Sequence, residues 1–347
     1  MSDIWCRIEG RAGRITLQRP DALNALTYDM VLDVERAIDA WRGMDDVALI
    51  LIDAEGGRAF CSGGDITEMY ASAKRGDFEY GHRFWCDEYR LNAKLFEYPK
   101  PVVSFLQGFT MGGGVGLGCH GSHRIVGESS QIAMPECGIG LVPDVGGSLM
   151  LTLAQGRLGE YLGVTSTRMG PADAIYAGFA DHFIPETAWE ALNAQLCLTG
   201  DSGLIENSAA APETGMLAKL QPEIDQHFSG EDLGDIYRSL KSRDTDFTAS
   251  ALKAIARNAP LAMACAVQIV RRLRSATSLR QALDMEYRYT HRAMAQGDFT
   301  EGIRAAIIDR DRQPKWAHAS ADQVPDMDVA NMLLPLGTAA LNWRDMP

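Results

Sequence analysis

Two short, uninterrupted apolar runs constrain this chain most: Val47–Ile52 (VALILI) and Val102–Leu106 (VVSFL). Neither alternates polar with apolar residues, so neither has a face to give to water. Runs of this length suit strands buried on both faces, as in a parallel sheet covered by helices. Helical spacing surrounds them. Val31, Val34, Ile38 and Trp41 recur at one-turn intervals from Tyr28 until Gly43 ends the pattern, and a second helical stretch spans Phe78 to Glu97 before Pro99 and Pro101. Arg14–Gln18, Arg124–Val126 and Asp181–Ile184 read as further strands, with helical stretches between Gly146 and Gly178. Alternation of this kind predicts an α/β fold.

The second half reads differently. Leu198–Gly215 turns rich in Ser, Ala, Pro and Gly, and from Phe247 to Ile308 the pattern is helical apart from a break at Asn258–Pro260. The expected organisation is a catalytic core over residues 1–195, a variable linker or helical insertion over 196–250, and a C-terminal helical region with a tail over 251–347. The apolar patch Met332–Leu336 is expected to dock on the body.

Composition sets limits on function. Hydrophobic residues make up 46% of the 347, charged residues 23%, and the net charge is −13. With no basic excess to displace counterions, non-specific nucleic-acid binding is disfavoured. No apolar run approaches the roughly 20 residues of a membrane span. The N-terminus has neither a secretory h-region nor an Arg/Ser-rich transit composition, so a cytoplasmic address is the default expectation. Seven scattered cysteines without CxxC spacing predict buried reduced thiols rather than a disulfide framework or a zinc site. His120 and His123, beside Cys119, have no third ligand at suitable spacing, so no metal is expected.

Two segments hold more glycine than an ordinary loop requires. Ala59–Asp65 (AFCSGGD) follows the first apolar run and Gln107–Val115 (QGFTMGGGV) follows the second. Each is expected between a buried strand and a helix start. Glycine there permits positive φ and close approach of a ligand to the backbone, and a helix start offers unpaired N–H groups at a positive dipole end. Two such ends facing each other would form an oxyanion hole. A plainer reading is tight turns with close helix–strand packing. Gly116–Gly121 also matches GxGxxG, but Thr110–Val115 separates it from the strand, which disfavours a dinucleotide site.

A carboxylate pair stands further on. Met134–Gly147 (MPECGIGLVPDVGG) places Glu136 and Asp144 on either side of an uncharged stretch. Apolar surroundings raise a carboxylate pKa and fit it for acid–base or nucleophilic work. The alternatives are that Asp144 caps the following helix and that Glu136 is solvated.

RPDALNAL (Arg19–Leu26), AFCSGGDI (Ala59–Ile66), GFTMGGGVGL (Gly108–Leu117) and MPECGIGLVPDVGG, in that order, resemble the crotonase (enoyl-CoA hydratase/isomerase) superfamily. The PDVGG ending and the segment Ser278–Trp316 resemble its hydroxyacyl-CoA hydrolases most. The resemblance implies a spiral of ββα turns with a C-terminal helical region, an acyl-CoA substrate, no cofactor beyond the CoA carried by that substrate, and possible homo-oligomers. It implies oxyanion donors at the Gly64 and Gly113 amides, Glu136 and Asp144 as catalytic acids, and Glu88 as a substrate-binding residue. Arg58 is a candidate for CoA binding.

Hydratases of the superfamily use two glutamates, one three residues after the second oxyanion glycine. Here that position is Gly116, whereas Asp144 stands where hydratases carry glycine. The resemblance therefore implies hydrolysis of a short hydroxyacyl-CoA, 3-hydroxyisobutyryl-CoA of valine catabolism foremost. The alternatives are another crotonase-type activity and a non-catalytic acyl-CoA-binding protein.

Overall fold

Both apolar runs became strands whose two faces are covered, in a computed structural model that describes residues 3–343. By its contacts the chain forms two compact units. The first comprises Met1–Asp65, Arg90–Ala133 and Arg168–Ala218; the second comprises Ile66–Tyr89, Met134–Thr167 and Lys219–Pro347.

The first unit holds nine strands: β1 (Ile4–Glu9), β2 (Ala12–Leu17), β3 (Leu49–Ala54), β4 (Ala59–Cys61), β5 (Val102–Phe105), β6 (Phe109–Met111), β7 (His123–Val126), β8 (Gln131–Ala133) and β9 (His182–Phe183). Six of them form one sheet in the order β1-β2-β3-β5-β7-β9, parallel except for the β1–β2 hairpin. The other three form a parallel sheet, β4-β6-β8. Three times in succession, one strand enters the large sheet and the next enters the small one: β3 then β4, β5 then β6, β7 then β8. That is a ββα turn repeated in structure without any repeat in sequence. The strands of three residues, β4, β6 and β8, and the edge strand β1 were not legible as strands beforehand.

The continuous apolar runs are explained by this layering. Leu49 and Leu51 join Ala12, Val103, Phe105 and Ile125 in a cluster that includes Leu192 and Leu196 of the helix Trp189–Thr199. Ile50 and Ile52 point to the opposite face and are equally buried. The helix Tyr28–Trp41, capped by the Thr27 side chain, lies close enough to β2 that a Cβ on Gly13 would overlap the Trp41 ring. At about 25 cal/mol per Å² of apolar surface, two-sided burial makes these strands the anchor of the unit.

The second unit is helical. It includes Gly147–Leu153, Leu158–Thr165, Pro260–Arg272 and Leu279–Gln296. The expected break at Asn258–Pro260 is present: Pro260 opens a new helix, and the Asn258 amide donates to the Val164 carbonyl at 2.8 Å. A second break was not expected. Ser278 accepts from the Gln281 amide as an N-cap and so starts Leu279–Gln296 afresh. The tail patch does dock, since Met332 and Leu333 are buried and Arg288 and Arg292 donate to carbonyls from Met332 to Leu334. The long helix Glu79–Phe96 contains the boundary at 89/90. The Ser/Ala/Pro/Gly-rich stretch carries a helix, Gly203–Ser208, and a unit boundary follows at 218/219. None of the described helices is long and apolar enough to cross a membrane.

Candidate active site

In the first unit, the two glycine segments leave the C-terminal ends of adjacent parallel strands. β4 ends at Cys61, just before Ser62-Gly63-Gly64, and β6 ends at Met111, just before Gly112-Gly113. Because the strands are parallel neighbours, both segments emerge at the same end. Their approach requires glycine at Gly114, where a Cβ would overlap the Cys61 carbonyl oxygen, and is tight at Gly63, where one would lie 3.3 Å from the Met111 carbonyl oxygen. Gly63 and Gly112 both take positive φ, 116° and 51°.

The Gly64 amide is left over by this arrangement. Leu26 donates to the Gly63 carbonyl at 2.8 Å and Asp65 donates to the Leu26 carbonyl at 2.8 Å, so the strand-like bridge uses the groups on either side of the Gly64 N–H. Gly113 is the first residue of the helix Gly113–Gly118, a position whose N–H has no acceptor within the helix. Neither amide donates to another backbone group among the described residues. Gly116 lies inside this helix, buried and without a side chain to titrate. Arg58 is exposed just before β4. His120 packs edge-on against Phe96, and His123 bonds Ser122 through Nδ1 at 2.8 Å.

The second unit brings together Glu88, Glu136 and Asp144, at 3%, 4% and 4% exposure. Glu286, at 0%, joins them. Burial pushes the Glu136 carboxyl well above the usual range, and the charges of Asp144, Glu286 and Glu88 add to the shift. Burial and then the Asp144 charge raise Glu88 in the same way. Burial lifts Asp144 to about 7, against the pull of the Tyr89 hydroxyl, which donates to its Oδ2 at 2.7 Å. Burial lifts Glu286 to about 8, against three donors. Groups whose charges raise one another in this way titrate as one system. Glu136 Oε2 and Glu88 Oε1 are buried without a partner among the described residues. Such orphaned acceptors cost roughly 1–3 kcal/mol each, so the fold carries them at the expense of stability.

Both plainer readings of the acid pair are overturned. Glu136 is not solvated. Asp144 does not cap the helix Gly147–Leu153, which has no cap from its own neighbourhood. Glu286 does so from 140 residues away, accepting from the Gly146 amide at 2.9 Å, the Ser148 amide at 3.1 Å and the Ser148 hydroxyl. The Asp144 carboxylate instead accepts from Tyr89, and its carbonyl closes the turn by accepting from the Gly147 amide at 2.7 Å. Within that turn Val145 takes φ of 52° and Gly146 of 81°. Positive φ at a β-branched residue is strained by on the order of 1–3 kcal/mol.

Sequence reasoning missed Tyr89 and Glu286. Tyr89 adjoins Glu88, and Glu286 sits in an ordinary helical pattern. Tyr89 shows its role only where Glu79–Phe96 meets Asp144, and Glu286 only where Leu279–Gln296 meets Gly146 and Ser148. A buried carboxyl cluster with unpartnered oxygens can take a proton from water or attack an electrophilic carbon. Two unpaired amides at adjacent strand ends can stabilise an oxyanion, each worth on the order of 3 kcal/mol.

The enoyl-CoA hydratase/isomerase family model matches residues 12–333. The chain is 35% identical to the mitochondrial 3-hydroxyisobutyryl-CoA hydrolase of Rattus norvegicus, over 99% of this chain and 91% of that one. It is 35% identical to the Homo sapiens enzyme of the same name, over 96% and 89%. Among solved structures, an enoyl-CoA hydratase from Rhodobacter sphaeroides 2.4.1 is 54% identical with a TM-score of 0.95, covering 99% of this chain and all of that one. A carnitinyl-CoA dehydratase from Mycobacterium thermoresistibile is 37% identical with a TM-score of 0.94, over 99% of this chain and all of that one.

Proposed function

The chain belongs to the enoyl-CoA hydratase/isomerase family, in the crotonase fold, and from that premise we propose that it hydrolyses a short hydroxyacyl-CoA thioester, 3-hydroxyisobutyryl-CoA foremost. One observation carries the reading: Glu136 and Asp144 are both buried, the Asp144 charge raising Glu136 further, while Gly116 puts no carboxyl on its helix. The full-length likeness to 3-hydroxyisobutyryl-CoA hydrolases supports the same choice.

In this reading the Gly64 and Gly113 amides receive the thioester oxygen as negative charge develops on it. Glu136, whose carboxyl burial raises above the usual range, either takes a proton from the attacking water or adds to the carbonyl itself. In the second case a mixed anhydride forms and water opens it. CoA leaves as the thiol, and the proton from water completes it. Asp144, held by Tyr89, orients the water or the substrate hydroxyl. Glu88 binds the 3-hydroxyl with its unpartnered oxygen. Arg58 is assigned at most a screened contact to a CoA phosphate, and coenzyme A enters only as part of the substrate.

The 54% identical structure described as an enoyl-CoA hydratase favours a second reading, hydration of a double bond. Incubating the purified chain with 3-hydroxyisobutyryl-CoA and with crotonyl-CoA separates the two. Release of free thiol from the first, with enoyl absorbance of the second unchanged, is the expected result. Loss of enoyl absorbance without thiol release would replace hydrolysis by hydration.

A further inference from the structure

One helix of the second unit, Leu279–Gln296, reaches Asp144 along two routes. Glu286 and Thr290 stand four residues apart, and so share one face; both are fully buried. Glu286 receives the Gly146 and Ser148 amides and the Ser148 hydroxyl. These groups lie immediately beyond the strained Val145, in the turn that Asp144 opens. Thr290 Oγ1 lies 3.4 Å from the Tyr89 hydroxyl, and that hydroxyl donates to Asp144 Oδ2. The turn that follows Asp144 is thus tied to the helix through Glu286 at Gly146 and Ser148, and the Asp144 carboxylate through Tyr89 and Thr290.

We propose that Glu286 is a positioning residue that holds the strained Asp144–Val145–Gly146 turn and thereby sets where the Asp144 carboxylate stands. Without Glu286, two buried amides at the start of Gly147–Leu153 would lose their acceptor. The turn would then keep the Gly147–Asp144 hydrogen bond but lose the acceptor just beyond Val145. Relaxation of Val145 toward negative φ would be opposed less and would pull the Asp144 side chain away from its place. Glu286 touches no reacting atom in this account. Its place in hydrolysis rests on the reading of Asp144 given above, but its hold on the turn does not.

The test uses the full chain with Glu286→Gln, Ser148→Ala, Val145→Gly and the Glu286→Gln/Val145→Gly pair. Glu286→Gln should lower kcat for thiol release 10- to 100-fold in folded protein, with KM within threefold of the original. Glycine takes positive φ without strain, so adding Val145→Gly should recover at least fivefold of that loss. A residue acting only as a helix cap would lower the melting temperature, leave kcat per folded molecule unchanged, and show no such recovery; that result overturns the proposal. Ser148→Ala removes one of three donors and keeps the fold; it should cost two- to fivefold in kcat should Glu286→Gln fail to fold. Amide exchange at Gly147, whose N–H closes the turn on the Asp144 carbonyl, is read alongside. It should quicken at least tenfold in Glu286→Gln, or measurably in Ser148→Ala. Unchanged exchange overturns the proposal even if the wild-type chain releases no thiol, an outcome that would itself refute only the hydrolase reading.

Discussion

Two buried acidic regions of this chain have opposite surroundings. In the first unit, Glu35 is 7% exposed and meets Arg90 twice at 2.6 Å and Lys94 at 3.0 Å, while Lys94 also holds Asp39 at 2.6 Å. Burial alone would raise its pKa, but hydrogen bonds and charge from Arg90 and Lys94 outweigh it and hold the carboxyl below the usual range. In the second unit, Glu88, Glu136, Asp144 and Glu286 are buried at least as deeply, and no cation is among the groups that shift them. Burial is common to both regions, so burial does not make a carboxylate chemical. The missing counter-charge does. A paired acid is locked in its ionised form, whereas an unpaired cluster holds protons that it can exchange near neutrality.

The comparison can be broken most forcefully at Glu136. Glu136→Gln should lower kcat for thiol release roughly 10³-fold, within the range for loss of a general base. Asp144→Asn keeps an acceptor for Tyr89 and should cost about 10²-fold. At Glu35 the pattern should reverse: Glu35→Gln should leave kcat near its original value and lower stability by about 3 kcal/mol, as read by denaturant titration. Arg58→Ala, at an exposed site, should raise KM about twofold at low salt and less at high salt.

Stability against pH sharpens the contrast, because the two regions contribute slopes of opposite sign. Asp144 is raised from its ordinary 3.8 to about 7, so across that window the native state holds a proton the unfolded chain has released. Its contribution is full below about 4 and is lost as pH rises through about 7. Glu35 is lowered, so its contribution is present above its ordinary 4.5 and is lost as pH falls through its folded value. Chemical denaturation from pH 4 to 8 should show Asp144→Asn flattening the decline toward pH 8, by on the order of 1–3 kcal/mol there. Glu35→Gln should flatten only the acid side.

Much of the fold was legible because it depends on local pattern. The runs at Val47–Ile52 and Val102–Leu106 carried their two-sided burial openly, and Val31, Val34, Ile38 and Trp41 carried the first helix. β4, β6 and β8 were not legible, since three residues hold too few apolar positions to define a period. At the candidate site, glycine marked places where only backbone can act, and an uncharged stretch marked Glu136 and Asp144. Tyr89 and Glu286 gave no comparable signal. Tyr89 reaches Asp144 across 55 positions, and Glu286 reaches Gly146 and Ser148 across 140 and 138, contacts no local spacing encodes.

The central claim is that the unpaired carboxyl cluster gives up stability for thioester hydrolysis, and one sample of Glu136→Gln at pH 8 tests both halves. Thiol release from 3-hydroxyisobutyryl-CoA and the melting temperature are measured together against the original chain. The account predicts that turnover falls about 10³-fold while the melting temperature rises, because a neutral amide replaces a carboxyl that buried like charges oppose. Turnover within a fewfold of the original, or lost turnover with a lowered melting temperature, would contradict it.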